Sequence, residues 1–169
     1  NTLFGMTAYS PIAGELVRSF GEAPDTVSMS IGTGTLMSGI HLGFRQLWSQ
    51  EETEGVPMIL GGSVAGANAI VEAFKEGRRA VTPLDEGTIH ESAMGSLVNV
   101  TGLMGQPALE ALLDTNGVAY GFRSEELEEV RQMARELEDV RMSVDSAASL
   151  AALMRAAQEG LIDREGRHV

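Results

Sequence analysis

The residues of this chain best suited to chemistry form a glycine and threonine loop, Gly32-Thr33-Gly34-Thr35. The loop follows an alternating run of β type, Thr26 to Ile31, and precedes a helical pattern that begins at Leu36. Such a junction gathers unpaired backbone N–H groups at the positive end of a helix dipole, and glycines let the backbone approach a ligand closely. The loop is therefore predicted to bind an anion, and a phosphate suits it best.

The same loop also has a purely structural interpretation. A Gly-Thr-Gly sequence occurs in ordinary connections between a strand and a helix, where the glycines only serve the turn. The loop alone does not decide between these two interpretations. The order of the elements around it and the other polar residues of the chain must decide.

Other candidate groups for catalysis are weaker. The three histidines are far apart in sequence and the chain has no cysteine, so we predict no metal site. Serine residues lack a recognisable base nearby, which leaves a serine nucleophile unsupported. The single lysine, Lys75, lies among charges near a predicted helix C-terminus, where the dipole favours a cation. We predict a structural role for Lys75 and no catalytic residue in this chain.

Composition narrows the class of protein. The 169 residues suit one domain, residues 1–169, and 43% hydrophobic with 21% charged residues is typical of a globular protein. A net charge of −12 argues against nucleic acid or an anionic membrane as a partner. No apolar run approaches the roughly 18 residues that a membrane span needs. From these features we expect a cytoplasmic protein.

Hydrophobic periodicity predicts an alternation of strands and helices. The predicted strands are Thr26 to Ile31, Val56 to Leu60 and Val118 to Phe122, with a further extended segment at Arg167-His168-Val169. The predicted helices are Tyr9 to Phe20, Leu36 to Trp48, Ala67 to Lys75, a short one around Thr88 to Leu97, Pro107 to Leu113, one capped by Ser124, and Ser146 to Glu159. This order predicts an α/β fold, a doubly wound three-layer αβα arrangement with a mostly parallel sheet. Ligands of such sheets bind beyond the carboxyl ends of strands, where the glycine loop lies.

Three local features sharpen this prediction. Gly61-Gly62 is expected to end the second strand. The helix from Ser146 to Glu159 is rich in alanine almost all round, so we expect it to be enclosed between other elements. The buried face of the helix before it is predicted to consist of Leu127, Val130, Met133, Ala134 and Leu137.

Taken in order, these segments resemble one domain of the fold-type II pyridoxal-phosphate enzymes, most closely the threonine synthase branch. The resemblance covers nearly the whole chain, although each motif alone is weak. Its motifs are Pro24-Asp25 followed by the strand and Gly32-Thr33-Gly34, Ser38-Gly39-Ile40 with Gly43-Phe44, Ala67 to Gly77, Gly117 to Glu126, and Ser146 to Leu153.

The resemblance implies that pyridoxal 5'-phosphate is the cofactor and that Gly32, Thr33, Gly34 and Thr35 hold its phosphate. The lysine that forms a Schiff base with the cofactor lies, in this family, in another domain that precedes this one. The chain is then expected to be the C-terminal, cofactor-phosphate-binding domain of a larger two-domain enzyme and to be inactive alone. Its expected partners are that missing N-terminal domain, an amino-acid substrate and further copies of itself in a homo-oligomer.

Three positions depart from the family pattern. Thr35 stands where a second glycine is usual, Leu36 where a threonine or asparagine is usual, and Ala65 where an acidic residue is common. Main-chain donors survive these changes, but a polar side chain that would contact phosphate is missing at Leu36.

By resemblance, the reaction is β-replacement or elimination on an O-phosphorylated amino acid, as in the conversion of phosphohomoserine to threonine. A sister interpretation is cysteate synthesis from phosphoserine and sulfite. A third, from another class, is a non-catalytic homologue whose altered loop binds a phosphorylated metabolite or a partner subunit. The substitutions at Thr35 and Leu36 favour that third interpretation slightly.

Overall fold

A computed structural model describes residues 3–85 and 95–169. Its strands are β1 (Thr26–Ser30), β2 (Met58–Val64) and β3 (Val118–Phe122). Its helices are α1 (Leu3–Tyr9), α2 (Pro11–Phe20), α3 (Thr35–Ser49), α4 (Ala69–Lys75), α5 (Gly105–Asp114), α6 (Ser124–Glu138) and α7 (Val144–Gln158). Within the described residues the three strands form one parallel sheet in the order β1-β2-β3.

Helices cover both faces of this sheet. On one face α2, α3, α4 and α5 build a core with the inward side chains of the strands, and α1 packs on α3. On the other face α6 and α7 build a second core. Alternate residues of β2 supply the two cores, with Ile59 in the first and Leu60 in the second. The predicted doubly wound, three-layer α/β fold is confirmed.

The C-terminal segment lies beside β1. The N–H group of Val169 donates to the carbonyl of Thr26 at 3.0 Å, and the N–H of Ser28 donates to the carbonyl of Val169 at 2.6 Å. Thr26 and His168 also form a parallel bridge. The extended segment predicted at residues 167–169 is therefore present and extends the sheet past β1.

Strand β2 corrects a sequence prediction, because it continues through Gly61 and Gly62 to Val64 instead of ending at the glycines. Here both faces of the sheet are covered too closely for side chains. A Cβ atom at Gly61 would lie 2.1 Å from the Ile31 side chain, and one at Gly62 would lie 1.8 Å from the carbonyl oxygen of Ala148. The glycines thus admit close packing rather than a turn.

Helix α7 rests on the sheet through this contact. Its buried residues are all alanines, which let its backbone approach β2 and β1: Ala147, Ala148, Ala151, Ala152 and Ala156. Ser28 and Ser30 of β1 donate side-chain hydrogen bonds to carbonyls of α7, at 2.7 Å to Ser149 and 2.6 Å to Asp145. The prediction that the alanine-rich helix is enclosed is confirmed, although it begins two residues earlier, at Val144.

The predicted helix from Tyr9 to Phe20 is present as α2, which begins two residues later, at Pro11, whereas the preceding helix α1 was not predicted. Pro11 occupies the first turn of α2, a position that suits proline because its missing N–H is not needed there. Both helices cross α3 at glycines. A Cβ atom at Gly39 would lie 2.4 Å from the carbonyl oxygen of Met6, and one at Gly43 would lie 2.2 Å from that of Ser10.

Helix α6 is buried along a narrower stripe than predicted. Leu127 and Ala134 are buried, but Met133 is 40% exposed and Leu137 is 72% exposed, so the prediction for these two was wrong. A helix turns about 100° per residue, which puts Met133 about 100° around the axis from Ala134 and about 120° from Leu127, outside the buried stripe. Leu137 lies in the last turn, before Asp139 leaves the helix in a left-handed conformation.

The start of α6 also differs from the prediction, because Arg123 rather than Ser124 occupies the N-cap position. The carboxylate of Glu126 accepts a hydrogen bond from the backbone N–H of Arg123 at 2.9 Å. This bond lowers the pKa of Glu126. The predicted short helix around Thr88 to Leu97 lies mostly outside the described residues.

The packing of α7 on β2 can be tested with a pair of glycine variants. Gly62→Ala places a methyl group against the backbone of α7. The helix can make room only by moving away from the sheet as a unit, so we expect the free energy of unfolding to fall by about 1–3 kcal/mol or more. Gly55→Ala is the control, because no atom lies within 4 Å of its added Cβ. Urea denaturation measures both. Equal stabilities for the two variants would contradict the close approach.

Candidate functional site

The glycine loop lies where the sequence predicted it, at the carboxyl end of β1 and the start of α3. It borders an open cavity of about 400 Å³, a volume within the usual range for small-molecule sites. The four predicted residues all line this cavity. The described residues that line it are Gly5, Tyr9, Ser30, Gly32, Thr33, Gly34, Thr35, Leu36, Met37 and Ser96. None of these side chains is charged.

Residues of the loop and of the first turn of α3 line this cavity, and several of their backbone N–H groups donate to no other described residue. The hydrogen-bond ladder of α3 begins only where the N–H of Ser38 donates to the carbonyl of Gly34, at 3.0 Å. Four amides donate to no other group among the described residues: those of Gly32, Gly34, Leu36 and Met37. They include the first turn of a 15-residue helix, where the helix dipole is positive. The arrangement can accept an anion without a basic side chain.

Two fully buried polar residues hold the loop from behind. The Asn68 amide nitrogen lies 3.0 Å from the carbonyl oxygen of Ile31 and 2.9 Å from that of Gly32. The Ser63 hydroxyl donates to the same Ile31 oxygen at 2.6 Å. Both side chains also contact the carbonyl of Leu97, at 2.9 Å and 3.2 Å respectively. The loop, β2 and the 95–99 segment are thereby joined.

Sequence reasoning missed Asn68. The available signal was an asparagine directly before an apolar helical pattern, which is a preferred helix N-cap. In the structure its Oδ1 accepts the N–H of Ile70 at 3.0 Å and so caps α4. Asn68 contacts loop residues that are more than thirty positions away in sequence, and no local sequence pattern indicates these contacts.

The two loop glycines have packing roles of their own. Gly34 has a φ of +85°, and a Cβ atom there would lie 2.6 Å from Ala108 and 2.9 Å from Ile70. A Cβ atom at Gly32 would lie 2.7 Å from the carbonyl oxygen of Ser96. The structural interpretation of these glycines therefore holds beside the anion-binding one. A side chain at Gly34 would disturb the fold as well as the site.

Two of the three residues that depart from the family pattern, Thr35 and Leu36, are accommodated by packing. Thr35 is buried, and its hydroxyl lies 3.0 Å from that of Thr33. Leu36 is half-buried and packs against the first core while also bordering the cavity. The main-chain N–H groups of the first turn remain in place, because neither residue is proline.

Lys75 lies apart from the loop, as predicted. Asn68 begins α4 beside the loop, whereas Lys75 ends that helix seven residues later, which corresponds to about 10 Å along the axis. The ammonium group is half-exposed and pairs with Glu72 at 3.3 Å. This is a structural ion pair at a helix C-terminus.

Other charged residues also form ion pairs at the surface. His41 lies 2.7 Å from Asp114, and Arg131 pairs with Glu128 at 2.6 Å on the exposed face of α6. Across residues 3–85 and 95–169, no three His, Asp or Glu side chains are grouped as a metal site would require. In the same part of the chain, none of the helices combines the length and hydropathy needed to cross a membrane.

The fold and the loop define an α/β domain with a glycine loop that borders a cavity at a strand end. The whole chain, residues 1–169, matches the pyridoxal-phosphate dependent enzyme family, and the chain belongs to that family. The cofactor of the family is pyridoxal phosphate.

Two curated relatives are threonine synthases of archaea. The chain is 27% identical over 149 residues to that of Methanocaldococcus jannaschii, with 88% of this chain and 36% of the relative aligned. It is 29% identical over 146 residues to that of Methanosarcina acetivorans, with 85% and 35% aligned. The chain thus spans about a third of the length of these relatives.

Solved structures share the fold at low sequence identity. The processed form of threonine deaminase isoform 2 from Solanum lycopersicum superposes with a TM-score of 0.72 at 15% identity, covering 97% of this chain and 43% of that one. A fungal L-serine ammonia-lyase from Rhizomucor miehei gives 0.70 at 16% identity, covering 93% and 46%. These likenesses show the fold.

Proposed function

We propose that Gly32, Thr33, Gly34 and Thr35, with the first turn of α3, hold the phosphate of pyridoxal phosphate. One observation carries this proposal. The amides of Gly32, Gly34, Leu36 and Met37 border a cavity and donate to no described group, in a chain whose family uses a phosphate-bearing cofactor. A buried or half-buried amide of this kind costs free energy unless a ligand or water accepts its hydrogen bond.

The charge of the chain makes a backbone site the suitable one. The protein carries a net charge of −12, and no Lys or Arg lines the cavity among the described residues. A phosphate must then be stabilised by oriented N–H dipoles at the start of α3. The uncharged Tyr9, Ser30 and Ser96 at the border of the cavity add no repulsion to a dianion.

The cofactor, when bound, supplies an electron sink for carbanions formed on an amino-acid substrate. The residues of this chain orient it and hold its phosphate. In the described residues no lysine lies at the loop, since Lys75 is at the far end of α4 and pairs with Glu72. The chain therefore supplies the phosphate side of the site, and the lysine that binds the aldehyde comes from elsewhere in the enzyme.

We infer a threonine synthase-like reaction, β-replacement or elimination on an O-phosphorylated amino acid. The two threonine synthase relatives support this choice. The fold alone does not identify the reaction, because structures with this fold are described as an ammonia-lyase, a threonine deaminase and racemases.

The reaction can be assayed on the complete protein that contains this chain. Phosphohomoserine and water should yield threonine and inorganic phosphate, because phosphate leaves from the γ-carbon and water supplies the hydroxyl group at the β-carbon. Phosphoserine with sulfite is the matched alternative substrate. Threonine formation supports the inferred reaction, whereas cysteate formation, or no release of phosphate from either substrate, would contradict it.

The cofactor site can be tested on the chain itself by calorimetric titration. We expect pyridoxal phosphate to bind at least about tenfold more tightly than pyridoxal, because only the former carries the group that the loop amides hold. Inorganic phosphate should compete with pyridoxal phosphate for binding and leave the binding of pyridoxal unchanged. Equal affinity for the two compounds would contradict the phosphate site.

A further inference from the structure

The geometry points to Asn68 as the positioning residue of the phosphate loop, an inference that rests on the function proposed above. Asn68 is fully buried and touches the loop only through carbonyl oxygens. It is not among the residues that line the cavity and contacts the loop from within the protein interior. Its role would be to fix which way the loop amides point.

The planarity of the peptide bond determines where the loop N–H groups point once the carbonyl groups are fixed. In a trans peptide the C=O of one residue and the N–H of the next point in opposite directions, and the described chain contains no cis peptide. Because the carbonyl of Ile31 points inward to Asn68 and Ser63, the N–H of Gly32 points outward. Because the carbonyl of Gly32 points to Asn68, the N–H of Thr33 is also directed away from the interior.

The carboxamide is chemically suited to this place. Its nitrogen faces three carbonyl oxygens, those of Ile31, Gly32 and Leu97, within 2.9 to 3.0 Å. Its oxygen accepts the N–H of Ile70 at 3.0 Å. Only a side chain with a donor and an acceptor at its tip serves both ends of this network. A carboxylate would present oxygen to oxygen in a buried site, at a high cost.

A purely structural role for Asn68, as the cap of α4, makes a different prediction. Capping uses only the side-chain oxygen, whereas holding the loop uses only the nitrogen. Asn68→Ser retains an oxygen that can cap the helix, but its single O–H lies one bond closer to the backbone than the NH2 group it replaces, so we expect it not to reach the loop carbonyls. Asn68→Asp retains the shape and the capping oxygen and replaces the donor with a titratable acceptor.

The test compares pyridoxal phosphate with pyridoxal on the wild-type chain and on both variants. The control is Asn116→Asp, which makes the same charge change at an exposed residue before β3, at the opposite end of the sheet. We expect the preference of the chain for pyridoxal phosphate to fall at least about tenfold in both Asn68 variants, and to remain in the control. Thermal unfolding verifies that each variant is folded.

The pH dependence supplies a readout that a structural role would not move. Burial raises the pKa of a carboxyl group, and a protonated carboxyl regains a donor. The preference of Asn68→Asp, measured relative to wild type, should therefore recover as the pH falls from 8 to 5. The preference of Asn68→Ser for pyridoxal phosphate, relative to wild type, should not change with pH. If Asn68→Asp does not fold, the loss of preference in Asn68→Ser is the test of the inference.

The possible outcomes distinguish a failure of the proposed phosphate site from a failure of the positioning role of Asn68. A wild-type chain without preference for pyridoxal phosphate would overturn the proposed function and this inference with it. A wild-type preference that persists in folded Asn68→Ser and Asn68→Asp would overturn this inference alone. Loss in both variants, with recovery of Asn68→Asp at low pH, supports it.

Discussion

The hydrogen bonds between Asn68 and the carbonyls of Ile31 and Gly32 are the interaction on which the site depends. They lie at the point where β1 ends and the chain must turn into α3. By holding two consecutive carbonyls in the interior, they direct the N–H groups of the same peptides away from Asn68. The chain has a net charge of −12, and none of the described residues that line the cavity is charged, so under the proposed function the direction of the backbone amides is what attracts an anion.

Glycine and alanine contacts bring the surrounding layers close enough for this network to form. The backbone of α7 lies on Gly62 of β2, and α1 and α2 lie on Gly39 and Gly43 of α3. Each contact replaces side-chain volume with backbone, which fixes the distance between elements within narrow limits. The start of α3, and with it the loop, is held between the N-terminal helices on one side and α4 and α5 on the other.

The fold was predictable because its signals are local and periodic. Alternating strands, helical repeats and the glycine junction after Ile31 all appear within short windows of sequence. The failures were tertiary. Gly61 and Gly62 resemble a turn but lie inside β2, because helices press on both faces of the sheet. Leu137 has the sequence spacing of a buried residue, but it lies in the last turn of α6, where its side chain is exposed. The loop could be found from sequence, whereas the contacts of Asn68 with it could not.

The measurement that bears most directly on this account is a crystal structure of the chain with pyridoxal phosphate bound. The account predicts phosphate oxygens within hydrogen-bonding distance of the amides of Gly32 to Thr35, with Asn68 still bound to the carbonyls behind them. A phosphate bound elsewhere, or a loop whose amides are paired to protein groups with the cofactor present, would contradict it.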